Sequence, residues 1–177
     1  MGYRPPLLHV ANSAALWRLP QPLDLFRPGI FLYGGKPGSG LPSPNPVVAL
    51  KAEIISIRSI AKGESVSYGG DWHTERYTHI ATLGIGYADG VPRALQGCGY
   101  VLINGRRYPY VGRVTMDMVM VDVGPNDTPH IGDVATLIGT DGDALITLDE
   151  FVDWSGTISY EVLTQLGARL PRVYLDA

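Results

Sequence analysis

The length, composition and charge of the chain favour a folded protein and exclude several classes of function. It has 177 residues, of which 45% are hydrophobic and 18% charged, so it can form a hydrophobic core and is not typical of a disordered protein. The net charge is −3 and the 14 lysines and arginines are scattered, which argues against a nucleic-acid partner. A single cysteine, Cys98, excludes an internal disulfide and a cysteine-rich metal site.

The first 18 residues, MGYRPPLLHVANSAALWR, do not resemble a signal peptide, because no charged segment leads into a long apolar run. No apolar stretch in the chain approaches the roughly 20 residues that a membrane-spanning helix needs. We therefore expect a cytoplasmic protein. The four histidines do not share the spacing of metal ligands, so no metal site is predicted.

The first 40 residues predict a strand, a helix and a second strand. Residues 7–10 are an apolar run, and Asn12 or Ser13 can cap the helix that follows. The apolar run 29–33 is interpreted as the second strand. Such a short unit cannot bury its own apolar faces, so residues 1–40 are interpreted as the end of a larger α/β domain.

Residues 34–46 form a loop rich in glycine, proline and serine, and after it apolar and polar residues alternate with a period of two. The segment 47–61 alternates between apolar and polar residues, which predicts a long strand with a bulge at Ile54 and Ile55. Similar patterns predict further strands at 65–68, 77–85, 100–103, 106–114, 118–123 and 133–138. Together they predict a small, mainly β barrel over residues 45–177.

Turn and capping signals divide the rest of the chain. Asn104 and Gly105 are typical of a tight hairpin turn. Two short helices are predicted in TLDEFVDW and ISYEVLTQLGARL, and Thr147 caps the first of them. The final RVYL, residues 172–175, is interpreted as a closing strand.

Four segments of the chain could carry chemistry, and one of them, GRVTMDMVMVDV, places the polar and charged residues Arg113, Thr115 and Asp117 in an otherwise strand-like run. HVANSAA places Ser13 at a predicted helix start, and RPGIFLYG places Arg27 just before Gly29 and Ile30. A serine hydroxyl and backbone amides freed by a glycine can together bind a phosphate. TISYEVL places Tyr160 at another helix start. Each segment also has an ordinary structural explanation, and spacing alone does not name a reaction.

A further candidate is Tyr68, which lies between a serine and two glycines in KGESVSYGGDW. Most strand tyrosines are packing residues, and that alternative stays open for Tyr68. A Gly69–Gly70 bend would instead allow the strand to turn close to a ligand with no side chain in the way.

These segments, in this order, resemble the C-terminal half of the alanine racemase family, whose members are fold-type III pyridoxal phosphate (PLP) enzymes. The resemblance covers nearly all 177 residues and includes VSYGGDW, LGIGYADGVPR, YPYVGRVTMDMVMVDV and GDVATLIG. It implies that residues 1–40 are the last strand–helix–strand piece of a truncated, PLP-binding TIM-type barrel. Residues 45–177 would then be the C-terminal β domain, a small β-barrel-like domain with short helices.

The resemblance implies that five residues contact the cofactor. The hydroxyls of Ser13 and Tyr160 and the backbone amides of Gly29 and Ile30 would bind the PLP phosphate. Arg27 would face the pyridine nitrogen. Because arginine stays protonated and can only donate, it would leave that nitrogen unprotonated and weaken the electron sink.

The resemblance also implies roles at the substrate. Tyr68 would be the catalytic base for L-alanine and the Met116 N–H a contact of the substrate carboxylate, both acting in trans in a homodimer. Tyr87 would line the access corridor, and Arg113 would support these residues. The reaction would interconvert L- and D-alanine for peptidoglycan synthesis.

The sequence departs from the family in one important respect. The lysine that binds PLP covalently and the histidine that supports the pyridine arginine are not found, and the lysines present are Lys36, Lys51 and Lys62. We therefore expect the chain to be inactive alone. One alternative is a non-catalytic β module for dimerisation or regulation. A second, half of a PLP decarboxylase, is disfavoured because Cys98 lies in QGCGY and not in the Cys-Glu-Ser-Gly-Asp type of segment.

Overall fold

A computed structural model describes residues 5–20, 23–126 and 129–175, and the chain divides into two compact units, Met1–Val48 and Ala49–Ala177. The strands of the described residues are β1 (Ala11–Asn12), β2 (Phe26–Arg27), β3 (Leu50–Ile60), β4 (Ser65–Val66), β5 (Trp72–His73), β6 (Thr78–Leu83), β7 (Tyr100–Ile103), β8 (Arg106–Val111), β9 (Val119–Gly124), β10 (Val134–Asp141) and β11 (Ala144–Ile146). The α-helices are α1 (Ala15–Arg18), α2 (Gly29–Leu32), α3 (Leu148–Ser155) and α4 (Ser159–Gln165), and 3-10 turns lie at Tyr68–Gly70, Tyr87–Asp89 and Arg93–Leu95. Among these described helices, none has the length and apolar character needed to cross a bilayer.

The first unit contains a short parallel pair in which β1 lies beside β2, with Asn12 opposite Arg27. The prediction of a strand at residues 29–33 is wrong, because this segment forms helix α2. Pro28 precedes the helix with a φ of −81°, and the N–H of Tyr33 donates to the carbonyl of Ile30 at 3.1 Å, so the chain turns where apolar character alone suggested a strand.

The second unit is an antiparallel barrel, as the sequence predicts. Its strands follow the order β10-β3-β6-β9-β8-β7, pairing between β10 and β7 closes the barrel, and β11 forms a hairpin with β10. The predicted bulge in β3 is confirmed by a shift in register between Ile54 and Ser56. The inner faces of the strands and one face each of α3 and α4 form the core, which includes Ile54, Ala81, Leu83, Val101, Ile103, Val121, Ala135, Leu137, Phe151 and Val162.

A smaller apolar cluster fixes the β4–β5 hairpin to the barrel. Val66 of β4 is buried together with Ile80 and Val111, and Trp72 of β5 packs against the same group. Val66 pairs directly with Trp72, so both ends of the connecting segment 67–71 are anchored. Tyr68 lies within that segment.

The turn and cap predictions are confirmed, and several strand limits are not. Asn104 and Gly105 have φ values of 51° and 76°, as a tight hairpin turn requires. Thr147 caps α3 and accepts from the N–H of Glu150 at 3.1 Å. The closing strand predicted at 172–175 is wrong, because these residues are exposed and lack regular structure. The strand predicted at 65–68 ends at Val66 and continues as the 3-10 turn.

Candidate active site

Ser13 and helix α2 lie together in the first unit. The Ser13 side chain is buried, and its Oγ lies 3.5 Å from the N–H of Phe31. The amides of Gly29 and Ile30 belong to the first turn of α2, where no acceptor exists within the helix. A methyl group added to Gly29 would meet nothing within 4 Å, so there is open space beside these amides. A buried hydroxyl beside a helix start with free space is chemistry that suits a phosphate.

Arg27 is paired with a histidine that sequence reasoning did not connect to it. Its Nη1 donates to the carbonyl oxygen of His9 and lies 3.4 Å from His9 Nδ1. The expectation that no histidine supports this arginine is therefore wrong for the structure of the first unit. His9 precedes β1 and Arg27 lies in β2, and the parallel pairing of these two strands brings the two residues together. Predicting that pairing would have indicated the contact.

Tyr68 lies in a backbone turn that few residues could adopt. Its ring is 74% exposed. Around it, Ser67, Gly69 and Gly70 have φ values of 70°, 79° and 61°, all in the left-handed region that favours glycine. The Ser67 hydroxyl donates to the carbonyl oxygen of Arg113 at 2.8 Å, which fixes the entrance to the turn.

The Arg113 guanidinium packs directly against this turn. Its Nε donates to Asp71 Oδ2 at 2.7 Å, and the two side chains form an ion pair across the ends of the turn. A methyl group added to Gly69 would lie 2.8 Å from Arg113 Cζ. At Gly112 a methyl group would lie 2.7 Å from the carbonyl oxygen of Val66. Glycine at position 112 therefore allows a close approach to the backbone of Val66, and glycine at position 69 allows the Arg113 side chain to pack against the turn. Asp71 is a supporting residue that sequence reasoning missed.

Met116 and Tyr87 are brought together by backbone contacts. The N–H of Tyr87 donates to Thr115 O at 2.9 Å, and the N–H of Ala88 donates to Met116 O at 3.0 Å. Gly86 permits this approach, because a methyl group there would lie 2.4 Å from the Met116 carbonyl oxygen. Met116 is exposed, and within the described ranges its own N–H makes no hydrogen bond, so that amide is available to a ligand.

Tyr160 is the second residue of α4 and is 48% exposed. It belongs to the same unit as Tyr68, Met116 and Tyr87, whereas the other candidate cofactor contacts, which are Ser13, Arg27, Gly29 and Ile30, belong to the first unit. Backbone hydrogen bonds thus link the segments that carry Met116 and Tyr87. The turn that carries Tyr68 is supported separately, by Arg113 and Asp71.

Two family models match the chain. The model for the alanine racemase C-terminal domain matches residues 47–174, and the model for the alanine racemase N-terminal domain matches residues 1–37. An alanine racemase from Sorangium cellulosum (strain So ce56) is 41% identical over 181 residues, and this match covers 99% of the chain and 48% of the relative.

Solved structures agree with these matches. The alanine racemase of Streptomyces coelicolor A3(2) superposes with a TM-score of 0.92 at 37% identity, over 99% of this chain and 47% of that one. The Bartonella henselae alanine racemase, solved with covalently bound pyridoxal phosphate, gives a TM-score of 0.84 at 36% identity, over 96% of this chain and 47% of that one. The chain thus spans about half the length of its relatives. The resemblance inferred from the sequence motifs is confirmed: this chain belongs to the alanine racemase family and corresponds to the C-terminal half of its members.

Proposed function

We propose that this chain forms the C-terminal part of an alanine racemase, which interconverts L- and D-alanine with PLP for peptidoglycan synthesis. The observation that carries the proposal is the Tyr68 turn. A packing tyrosine would be buried, whereas this ring is 74% exposed. A non-glycine residue such as Ser67 at a φ of 70° costs about 1–3 kcal/mol, and such strain is typical of functional sites.

Tyr68 is the proposed catalytic base for L-alanine. Its phenolic oxygen would remove the proton from one face of the substrate Cα and return it in the reverse direction. The exposure of the ring supports this role, because the base must reach a substrate bound outside its own fold. We propose that Tyr68 and Met116 act in trans, on the active site of the other subunit of a homodimer.

The Met116 N–H is the proposed contact for the substrate carboxylate. It is an available donor on an exposed turn, and a backbone amide can bind a carboxylate oxygen with a charge-assisted hydrogen bond. Tyr87 is joined to this turn through Thr115 and is the proposed residue of the access corridor.

The residues of the first unit fit the phosphate and ring of PLP. Ser13 Oγ and the amides of Gly29 and Ile30 would hold the phosphate, because the hydroxyl of Ser13 lies beside the helix start and Gly29 leaves open space. When bound, PLP supplies an electron sink for the electrons left at the substrate Cα. Arg27, oriented by His9, would donate to the ring nitrogen without giving up its proton.

Other parts of the proposal concern what completes the site. We propose that residues 1–40 belong to a PLP-binding barrel and residues 45–177 form the β domain of a cytoplasmic homodimer. The covalent lysine, which would also act as the base on the opposite face of Cα, would come from a segment equivalent to the half of the relatives that this chain does not cover. Lys36, Lys51 and Lys62 do not lie in a segment of the KANAYGHG type, which is the type that the family resemblance implies for this lysine.

A hybrid enzyme tests the proposal. The half of the Sorangium cellulosum alanine racemase that precedes its match to this chain is fused ahead of residue 1, and racemisation of L-alanine is measured with PLP by polarimetry. The chain alone and the separate Sorangium half serve as controls. The oligomeric state of the hybrid is measured by light scattering.

We expect activity in the dimeric hybrid and none in either part, and we expect Tyr68→Phe to remove it. A folded, dimeric hybrid that binds PLP and does not racemise alanine would contradict the proposal and favour a non-catalytic module. Full activity of the Tyr68→Phe hybrid would show that Tyr68 is not the catalytic base.

A further inference from the structure

The 3-10 turn that carries Tyr87 ends in a buried carboxylate, that of Asp89. Asp89 is 5% exposed, and its Oδ2 accepts from the N–H of Gly86 at 2.9 Å. Its Oδ1 lies 3.0 Å from Nε of Arg169, which follows α4. A buried carboxylate needs such partners, because an uncompensated charge away from water is strongly unfavourable.

The same guanidinium reaches a second carboxylate on a different segment. Nη2 of Arg169 donates to Asp117 Oδ1 at 2.7 Å, and both of these side chains are about half exposed. The hydrogen bond to Asp117 and the charge of Asp89 raise the pKa of Arg169. We call Arg169, Asp89 and Asp117 the Arg169 bridge.

Close backbone approaches fix the segments that carry Arg169 and Asp89, the buried pair of the Arg169 bridge. The N–H of Gly167 donates to the carbonyl oxygen of Asp89 at 3.0 Å. A methyl group added to Gly90 would lie 2.3 Å from the carbonyl oxygen of Gln165, and one added to Gly167 would lie 3.1 Å from that of Ala88. The chain after α4 is therefore fixed against segment 86–90, and Arg169 extends from this fixed base.

The turn at residues 115–118 is joined to segment 86–90 by two backbone hydrogen bonds, from the N–H of Tyr87 to Thr115 O and from the N–H of Ala88 to Met116 O, and residues 116–118 are exposed. Met116 and Met118 are exposed, and the turn is closed by hydrogen bonds between Thr115 and Met118 at 2.9–3.0 Å. A segment with little buried apolar surface and exposed hydrogen bonds opens easily. Asp117 is the residue of this turn that Arg169 holds, and it directly follows Met116.

We propose that Arg169 is a positioning residue that, through Asp117, holds the Met116 N–H where it can receive the carboxylate of the substrate. This inference rests on the proposed function. The arginine is required because its planar fork presents Nε to one carboxylate and Nη2 to the other, which the single ammonium group of a lysine does not do.

A purely structural role for Arg169 would be to neutralise the buried Asp89. The two roles differ at Asp117. Asp117→Asn removes the negative charge from the exposed contact of Arg169 and leaves the pair between Arg169 and Asp89 intact, so the fold should be unaffected. Arg169→Lys keeps the positive charge and loses the fork. Arg107→Gln is the matched control, because Arg107 also pairs with a carboxylate, Glu150, at 3.1 Å, on a different part of the barrel.

The first readout is amide hydrogen exchange in the 177-residue chain. The amides of Thr115 and Met118 are hydrogen-bonded only while the 115–118 turn is closed, so their exchange rates report its opening. We expect Asp117→Asn and Arg169→Lys to speed their exchange about two- to fivefold, the range set by an exposed ion pair. Arg107→Gln should leave both rates unchanged.

The second readout is the kinetics of the hybrid described above. Because the Met116 amide contacts the substrate in the ground state and the transition state alike, Asp117→Asn should raise KM for alanine about two- to fivefold and leave kcat within about twofold. Arg169→Lys should behave similarly. The Arg107→Gln hybrid should match the unmodified hybrid.

Three results would overturn the inference. Unchanged exchange of the Thr115 and Met118 amides in both variants would show that the bridge does not hold the turn. Faster exchange with an unchanged KM would show that the turn is held without positioning the substrate. A fall in kcat with KM unchanged would place Arg169 in another step. If the unmodified hybrid fails to racemise alanine, the proposed function fails, and the exchange rates still decide whether Arg169 holds the turn.

Discussion

Gly69→Ala, which adds a methyl group to the Tyr68 turn, should lower the free energy of unfolding, and the loss can be separated into two parts. The first part is the backbone: Gly69 has a φ of 79°, and a residue with a Cβ in the left-handed region costs roughly 1–2 kcal/mol. The second part is contact, because the new methyl would lie 2.8 Å from Cζ of Arg113. That guanidinium is also bound to Asp71, to which its Nε donates at 2.7 Å, so moving it to make room would weaken this pair.

Gly63→Ala measures the first part alone. Gly63 has a φ of 87°, and a methyl group there meets nothing within 4 Å, so its substitution carries the backbone cost without a contact. We expect Gly63→Ala to lower the free energy of unfolding by roughly 1–2 kcal/mol. Gly69→Ala should cost about 1–3 kcal/mol more, the usual range for an added methylene that forces its neighbours to move.

The assay is urea unfolding of the chain followed by tryptophan fluorescence, since Trp72 packs beside the turn. Gly69→Ala is measured in the native sequence and in an Arg113→Ala background, where the contact no longer exists. In that background the cost of Gly69→Ala should fall to the value found for Gly63→Ala. Equal costs of Gly69→Ala in both backgrounds would refute the reasoning that Arg113 supports the Tyr68 turn.

Three further changes test the packing and electrostatics of the β domain. Thr147→Ala should lower the free energy of unfolding by about 1 kcal/mol, because it removes the cap of α3, and Thr147→Ser should restore it. Burial raises the pKa of Glu150, but the hydrogen bonds from Thr147 and Arg107 outweigh it and lower that pKa in the folded protein. The ionised Glu150 should therefore contribute fully to stability above about pH 4.3, and this contribution should be lost as the pH falls through the lower folded pKa. The urea midpoints of wild type and Glu150→Gln should converge towards pH 3, and a constant gap between them would contradict this. The buried hydroxyl of Tyr110 has no hydrogen-bond partner among the described residues. Tyr110→Phe should therefore leave the free energy of unfolding unchanged or raise it by up to about 1–3 kcal/mol, measured from the urea midpoint. A lower midpoint would show that the hydroxyl has a partner.

The parts of the fold that the sequence predicts are those with a local signal. The period of two in β3, the Asn104–Gly105 turn and the Thr147 cap each depend on residues close together in the chain, and all three are found. The apolar run 29–33 misled the prediction, because a run of that length does not distinguish a strand from one helical turn. Strands of two or three residues, such as β5 and β11, are too short to show a period.

The parts of the site that could not be predicted depend on pairings between distant segments. Asp71 supports Arg113 across 42 residues, and Arg169 reaches Asp117 across 52 residues. No local pattern signals either pair, because opposite charges that far apart in a chain are common. The contact of His9 with Arg27 could not be predicted for the same reason, since it exists only once β1 and β2 have paired.

Hydrogen–deuterium exchange at the substrate Cα tests the central claim, that Tyr68 is the base for L-alanine, most directly. The hybrid is incubated in D2O with PLP and with either L- or D-alanine, and loss of the Cα proton signal is followed by NMR. We predict that Tyr68→Phe slows exchange of L-alanine by about 100-fold or more and slows exchange of D-alanine far less, because the base on the opposite face remains. Equal effects on the two enantiomers, or unchanged exchange of L-alanine, would contradict the account.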